Sequence, residues 1–196
     1  MKDTVTLKAL AKINLGLDVL GRRENGYHDV RMVMQTIYLY DDVTIEKTED
    51  PGIVLQTNLH FLPVDENNIA YKAAKMLMDE FQIREGVRIV LNKHIPVAAG
   101  LAGGSSNAAA VLVGMNNLFH LGLSQKDLME PGVSLGAYVP YCVMRGTVLA
   151  EGIGEILTPL PPLPKCSVLI AKPGISVSTK MVYEKLDSKE IEDHPD

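Results

Sequence analysis

The sequence predicts a soluble, globular chain that mixes strands and helices, and three stretches carry that prediction. From Val5 to Val19 every odd position is apolar, the period of two expected of a strand with one buried face. Ala70, Ala73, Ala74, Leu77, Met78 and Phe81 recur instead at helical spacing. Pro96 to Ala110, PVAAGLAGGSSNAAA, is a glycine-rich turn that runs straight into an alanine-rich helix former.

Taken in order, the first strand carries Lys8, Lys12, Asn14 and Asp18 on its even face. A rise of ~3.3 Å per residue sets Lys12 and Asn14 about 7 Å apart on one side. Asn25-Gly26 marks a turn, and Val30 to Tyr40, Val43 to Glu46 and Ile53 to Gln56 read as further strands. Asn67 caps the first helix, Val87 to Leu91 is another strand, and a second helix follows the glycine turn to Phe119, with Ser105, Ser106 and Asn107 as good capping residues. Ser124 and Asp127 form a capping box for a third helix. Pro131 removes an amide donor there and clashes with the preceding turn at a cost of about 3 kcal/mol, which predicts a break or kink. Tyr141 to Met144 and Thr147 to Glu151 read as a hairpin turned at Arg145-Gly146.

Four prolines between Pro159 and Pro164 make a stiff connector and a boundary, giving one unit over residues 1–158 and a second, incomplete one over 159–196. The second holds a strand at Ser167 to Ala171, a helix at Thr179 to Leu186 and a charged, frayed ending from Asp187 to Asp196. One strand and one helix cannot enclose a core, so this unit must pack on the first or on another chain, as in a homodimer.

With 196 residues, 46% of them hydrophobic, the chain can bury one good core and part of another. A net charge of -5 and a pI near 5.5 argue against broad binding to nucleic acid or to an anionic membrane. Phosphorylated small molecules suit it better. Cys142 and Cys166 lie far apart with no C-x-x-C pair, and the N-terminus has no signal-peptide pattern; a reduced cytoplasmic setting is expected, with both thiols buried. In the glycine turn, Gly100, Gly103 and Gly104 are free to take positive φ and leave successive amides pointing inward, a cradle for an anion at a helix N-terminus. Its spacing matches neither G-x-x-x-x-G-K-[ST] nor G-x-G-x-x-G.

Four segments together, AKINLGLDVLGRRENGYHDV (Ala11 to Val30), HIPVAAGLAGGSSNAAAVL (His94 to Leu112), LGAYVPYCVMRGTVLAEGIGE (Leu135 to Glu155) and KPGISVSTKMVYEKL (Lys172 to Leu186), resemble the galactokinase, homoserine, mevalonate and phosphomevalonate kinase superfamily. Gly26-Tyr27-His28 beside the Lys12/Asn14 strand is most similar to its branch acting on a cytidine diphosphate-linked sugar alcohol. The resemblance implies an α+β fold: an N-terminal domain like the second domain of a ribosomal small-subunit protein, then a ferredoxin-like domain, incomplete here. It implies transfer of the γ-phosphoryl of ATP, as its Mg2+ complex, to a hydroxyl of a small-molecule substrate in isoprenoid precursor synthesis. Pro96, Val97, Ala98, Ala99, Gly100, Leu101, Ala102, Gly103, Gly104, Ser105 and Ser106 would wrap the phosphates, and Lys93 would lie where the nucleotide enters. Lys12 would stabilise charge at the accepting hydroxyl and Asn14 would position it. Tyr27 would stack on the cytosine, His28 would bond its edge and Tyr183 would cover the other face.

Three departures stand out. Where the resemblance implies an aspartate base, this chain has Tyr138, a phenol that is protonated at neutral pH. Pro131 threatens the same wall, and the family's C-terminal glycine-rich motif has no counterpart before Asp196. The expectation is a truncated kinase with impaired turnover, a binder of nucleotide without chemistry, or a kinase for another small alcohol. No metal-ligand set is read from the sequence.

Overall fold

A computed structural model describes residues 3–174 and 179–187 of the chain. The fold is mixed α and β: a six-stranded sheet carries its helices in the order of the chain. Strands β1 (Thr4–Arg22) and β2 (His28–Thr48) pair antiparallel over nearly their whole length. Asn25 and Gly26 close the turn between them; Gly26 has φ 85°, which glycine adopts without strain, and Asn25 Oδ1 accepts the Tyr27 amide at 3.1 Å. The two apolar runs at Val30 to Tyr40 and Val43 to Glu46 are therefore one strand. Asp41 and Asp42, which look like a break, lie inside it.

β2 is the spine of the sheet. β1 occupies one edge, while on the other β4 (Gly86–Asn92) pairs with Asp42 to Thr48 and β5 (Thr147–Glu151) with Met32 to Gln35. β3 (Ile53–Thr57) runs parallel to β4, and β6 (Ile156–Pro159) antiparallel to β5.

The alternation of β1 holds only at its start, where Val5, Leu7 and Ala9 pack into the core. Register shifts between Leu10 and Lys12 and between Asn14 and Gly16 move side chains beyond them to the opposite face. Lys12 is left 4% exposed, whereas Leu15 and Leu17 are about half exposed.

Helix α1 (Ile69–Glu80) is capped by Asn68, whose Oδ1 accepts the Ala70 amide at 2.9 Å; Asn67 turns back onto Asp65 instead. Helix α2 (Gly103–Phe119) begins inside the glycine run, so Ser105, Ser106 and Asn107 lie within the helix and do not cap it. Helix α3 (Gln125–Leu135) opens on the Ser124/Asp127 capping box as expected and continues through Pro131 without breaking. The proline removes one ladder bond, which the capping box and the burial of Leu128 and Gly132 outweigh. Tyr141 to Met144 is not a strand: Val139–Met144 forms α4, with Pro140 in its first turn where its missing N–H has no intrahelical partner to lose. The hairpin is made by β5 and β6.

Met32, Met34, Ile45, Ile89, Leu112, Met115 and Tyr141 are among the side chains closed in the main core between the sheet and the helices. A small satellite of Ala11, Ile95 and Leu101 sits with Ala99 of the glycine turn. Ser167 to Ala171 forms no strand; no other strand pairs with it among the described residues, and Leu169 is 96% exposed. Cys166 is exposed as well, against expectation, because it lies on this uncovered segment, while Cys142 is buried. Thr179–Leu186 is helix α5 as expected. The fraying expected from Asp187 to Asp196 falls, beyond Asp187, outside the described residues. Among those described, no helix is long and apolar enough to cross a membrane.

Candidate active site

Residues 96–102 join β4 to α2, and left-handed backbone recurs along them at Ala98 (φ 53°), Gly100 (φ 70°) and Ala102 (φ 56°). Of the three glycines expected to need positive φ, only Gly100 has it. Gly103 and Gly104 open α2, and at Gly103 the constraint is space: a Cβ there would stand 3.1 Å from Ile95 Cγ2 and 3.4 Å from Lys93 Nζ. Two alanines bear the strain that glycines were expected to relieve.

The loop borders a cavity of about 350 Å3, closed from below by Lys93, Ile95 and Asn107 and from the side by Asn67, Asn68 and Ile69. The first backbone N–H groups of α2 have no intrahelical acceptor, no side chain caps them, and the first turn carries no acidic residue. That leaves the positive end of a 17-residue helix free to meet an anion.

The loop is stitched to β1. The Lys12 amide donates to the Leu101 carbonyl at 3.1 Å, and Ser106 Oγ donates to the Leu10 carbonyl at 2.7 Å. Lys12 is thereby held beside the cradle. Its Nζ donates to Asn14 Oδ1 at 3.0 Å, so the two residues expected to converge do so, and Asn14 Nδ2 contacts Met32 Sδ at 3.7 Å.

Tyr138, just ahead of α4, places its ring centroid 4.9 Å from Lys12 Nζ. Burial lowers the pKa of Lys12 below the usual lysine value, opposed by its attraction to the Cys142 thiol. The same burial pushes Cys142 up to about 12, partly offset by Lys12 and Arg145. The lysine is thus enclosed by an aromatic face, an amide and a neutral thiol.

Tyr27 and His28 stand at the turn end of the β1–β2 ribbon. Tyr27 is well exposed, as a stacking surface requires. His28 Nε2 meets Asp187 Oδ1 at 2.5 Å, and Arg22 reaches the other oxygen at 3.3 Å, so the ring edge expected to face a ligand faces a carboxylate of the same chain. Tyr183 lies on α5, and its side chain is outside the described residues.

Sequence reasoning missed Asp41. It is fully buried and pairs with Lys93 beneath the cradle. The signal was available: Asp41 shares its parity with Val43 and Ile45, both buried on the same strand, so alternation alone points the carboxylate inward. Asn67 was read only as a cap and Asn68 was not singled out, yet both line the cavity.

The GHMP kinases N terminal domain family matches residues 68–146, the span from the start of α1 through the loop to the end of α4. The 4-diphosphocytidyl-2-C-methyl-D-erythritol kinase of Lachnoclostridium phytofermentans is 63% identical over 193 residues, covering 98% of this chain and 66% of the relative. That of Lachnospira eligens is 58% identical over 194 residues, covering 99% and 67%. The chain belongs to the 4-diphosphocytidyl-2-C-methyl-D-erythritol kinase family. It spans about two thirds of the length of these relatives. A crystal structure of 4-(cytidine 5'-diphospho)-2C-methyl-D-erythritol kinase superposes with a TM-score of 0.74 at 33% identity, over 92% of this chain and 63% of that one. Homoserine kinase from Cytophaga hutchinsonii, at 21% identity and a TM-score of 0.68 over 94% of this chain and 60% of that one, shares the fold.

Proposed function

We propose that this chain binds ATP in the glycine cradle and directs its γ-phosphoryl to a hydroxyl of 4-diphosphocytidyl-2-C-methyl-D-erythritol, a step of isoprenoid precursor synthesis, and that Tyr138 holds its turnover down. One observation carries the reading. Lys12 is hydrogen-bonded through its backbone to the phosphate loop while its ammonium faces the ring of Tyr138, which joins nucleotide, acceptor and expected base at a single point.

In the reaction the acceptor oxygen attacks the γ-phosphorus, the bond to the bridging oxygen of ADP breaks, and the hydroxyl proton departs. Phosphoryl transfer depends mainly on positioning and on stabilising charge spread over the moving group. Amides from Val97 to Ser105 meet the phosphates, while the Ser106 amide is taken by the Ala102 carbonyl; Lys12 meets the charge near the acceptor and Asn14 orients the hydroxyl. Tyr27 and Tyr183 hold the cytidine diphosphate end of the substrate, and His28 joins them by exchanging Asp187 for the cytosine edge. Mg2+ would come with ATP and would neutralise charge on its phosphates as the phosphoryl group moves.

Tyr138 is the weak element. A phenol is a poor acceptor for the departing proton where an aspartate carboxylate would take it. Its contact with Lys12 also favours a second reading, a protein that retains nucleotide without chemistry. Residues 1–158 are assigned as a domain like the second domain of a ribosomal small-subunit protein, and 159–196 as the start of a ferredoxin-like domain. The setting is cytoplasmic, and a homodimer would cover the exposed second unit.

A coupled assay of ADP release with the diphosphocytidyl substrate, run beside calorimetric titration of ATP, tests both readings. Heat on binding with slow or absent ADP release is expected. Turnover matching that of an intact relative refutes the impairment, and no heat with ATP refutes the cradle.

A further inference from the structure

Asp41 is fully buried, and its two oxygens have separate duties. Oδ1 accepts the backbone amides of His94 at 2.7 Å and Ile95 at 2.8 Å, the residues through which β4 passes into the glycine loop. Oδ2 accepts Lys93 Nζ and, at 2.9 Å, Asn107 Nδ2. Lys93 Nζ also donates to Asn107 Oδ1 at 2.7 Å, closing a triangle of carboxylate, ammonium and amide. All three side chains are at most 8% exposed. Asn58 clamps the same point from outside, accepting the Lys93 amide at 2.8 Å and donating to its carbonyl at 3.1 Å.

A buried ion pair is a poor source of stability, because desolvating two charges offsets most of their attraction. What this one does supply is geometry. β2 contributes Asp41, the residue after β4 contributes Lys93, the next two before the loop contribute their amides and α2 contributes Asn107. Of these, Lys93, Ile95 and Asn107 line the cavity; Asp41 does not line it but, among the described residues, is the only group bonded to all of the other three. Lys93 Nζ lies 3.4 Å from the point a Gly103 Cβ would occupy, so its position also bears on the first turn of α2.

We infer that Asp41 is the positioning residue of the nucleotide site, acting through Lys93, Asn107 and the His94 and Ile95 amides to fix the loop against the N-terminus of α2. The inference rests on the reading of the loop as a phosphate cradle. It makes nucleotide affinity depend on a carboxylate that touches no nucleotide.

The test titrates a non-hydrolysable ATP analogue, and separately cytidine diphosphate, into the parent chain, an Asp41→Asn variant and an Asp41→Asn/Lys93→Met variant. Asparagine can keep the amide bonds of Oδ1 while turning Oδ2 into a donor. The double variant removes both buried charges together, so neither is left unpaired and the fold is protected. Expected in both variants is a loss of about tenfold or more in affinity for the ATP analogue, with cytidine diphosphate affinity within about twofold of the parent. A folded variant that binds the ATP analogue within about twofold of the parent overturns the inference and leaves the cradle standing. Equal losses for both ligands overturn it as well, because they report general damage. A parent chain silent to the ATP analogue removes the cradle and this inference together.

Discussion

On the proposed reading Lys12 decides what the site can do: it is 4% exposed, and its contacts among the described residues are the Asn14 amide and the Tyr138 ring, with no carboxylate among them. An ammonium over an aromatic face gains about 0.5–2 kcal/mol, which softens its desolvation without giving the site a proton acceptor. Replacing Tyr138 separates the two effects. Tyr138→Phe keeps the face over Lys12 and is expected to match the parent in ADP release within about twofold, since the proposed reading gives the phenol oxygen no catalytic part. Tyr138→Asp restores an ionised carboxylate and vacates the volume of the ring; it is expected to raise kcat on the order of a hundredfold, the lower range of a general base. A Tyr138→Asp chain no faster than its parent would place the defect elsewhere.

At the scale of elements, local signals were legible where the cause is local. The Ser124/Asp127 box opens α3 as its spacing says, and the helical spacing of Ala70 to Leu77 is that of α1. Signals that depend on a partner strand were not. The register shifts between β1 and β2 show only in the pairing: Leu10 opposes Tyr40 but Lys12 opposes Thr36, with the extra residues on β2, and nothing in the sequence of β1 marks that slip. Tyr141 to Met144 is a short apolar run, equally fit for strand or helix, and burial between α2 and the sheet decided it. Asn67 and Asn68 are adjacent residues of the same type, so sequence could not choose between them. The choice has a measurable consequence: Asn68→Ala loses both the cap on Ala70 and a bond to the Pro63 carbonyl, and is expected to cost about 1 kcal/mol in urea denaturation. Asn67→Ala, whose contacts are exposed and confined to Asp65, is expected to cost less than about 0.5 kcal/mol. Equal costs would mean that the helix starts one residue earlier than the structure places it.

For the whole molecule, the glycine loop and the Lys12/Asn14 pair were readable because each is a compact motif, whereas Asp41 acquires its meaning only when β2, β4 and α2 come together. The same assembly sets how stability responds to alkali. Tyr141 and Cys142 are neighbours on α4, and burial raises both to about 12 from ordinary values of 10.0 and 9.0. The Tyr141 hydroxyl is also committed, donating to the Gly146 carbonyl at 2.9 Å. Above pH 9 the unfolded chain therefore gives up these protons while the folded one keeps them, and stability falls with rising pH until the folded values are passed. Lys12 acts in the opposite sense, because its lowered folded value makes the unfolded chain the better proton binder up to 10.5. Beyond 10.5 that compensation ends, and the two α4 groups together steepen the decline toward about 2.8 kcal/mol per pH unit. Urea midpoints measured from about pH 8 to about pH 11 should drop with increasing slope, and Cys142→Ala should flatten the alkaline limb by roughly half. A profile equally steep in Cys142→Ala and in the parent would mean that the thiol ionises freely in the folded chain, and that α4 does not seal this side of the site from water.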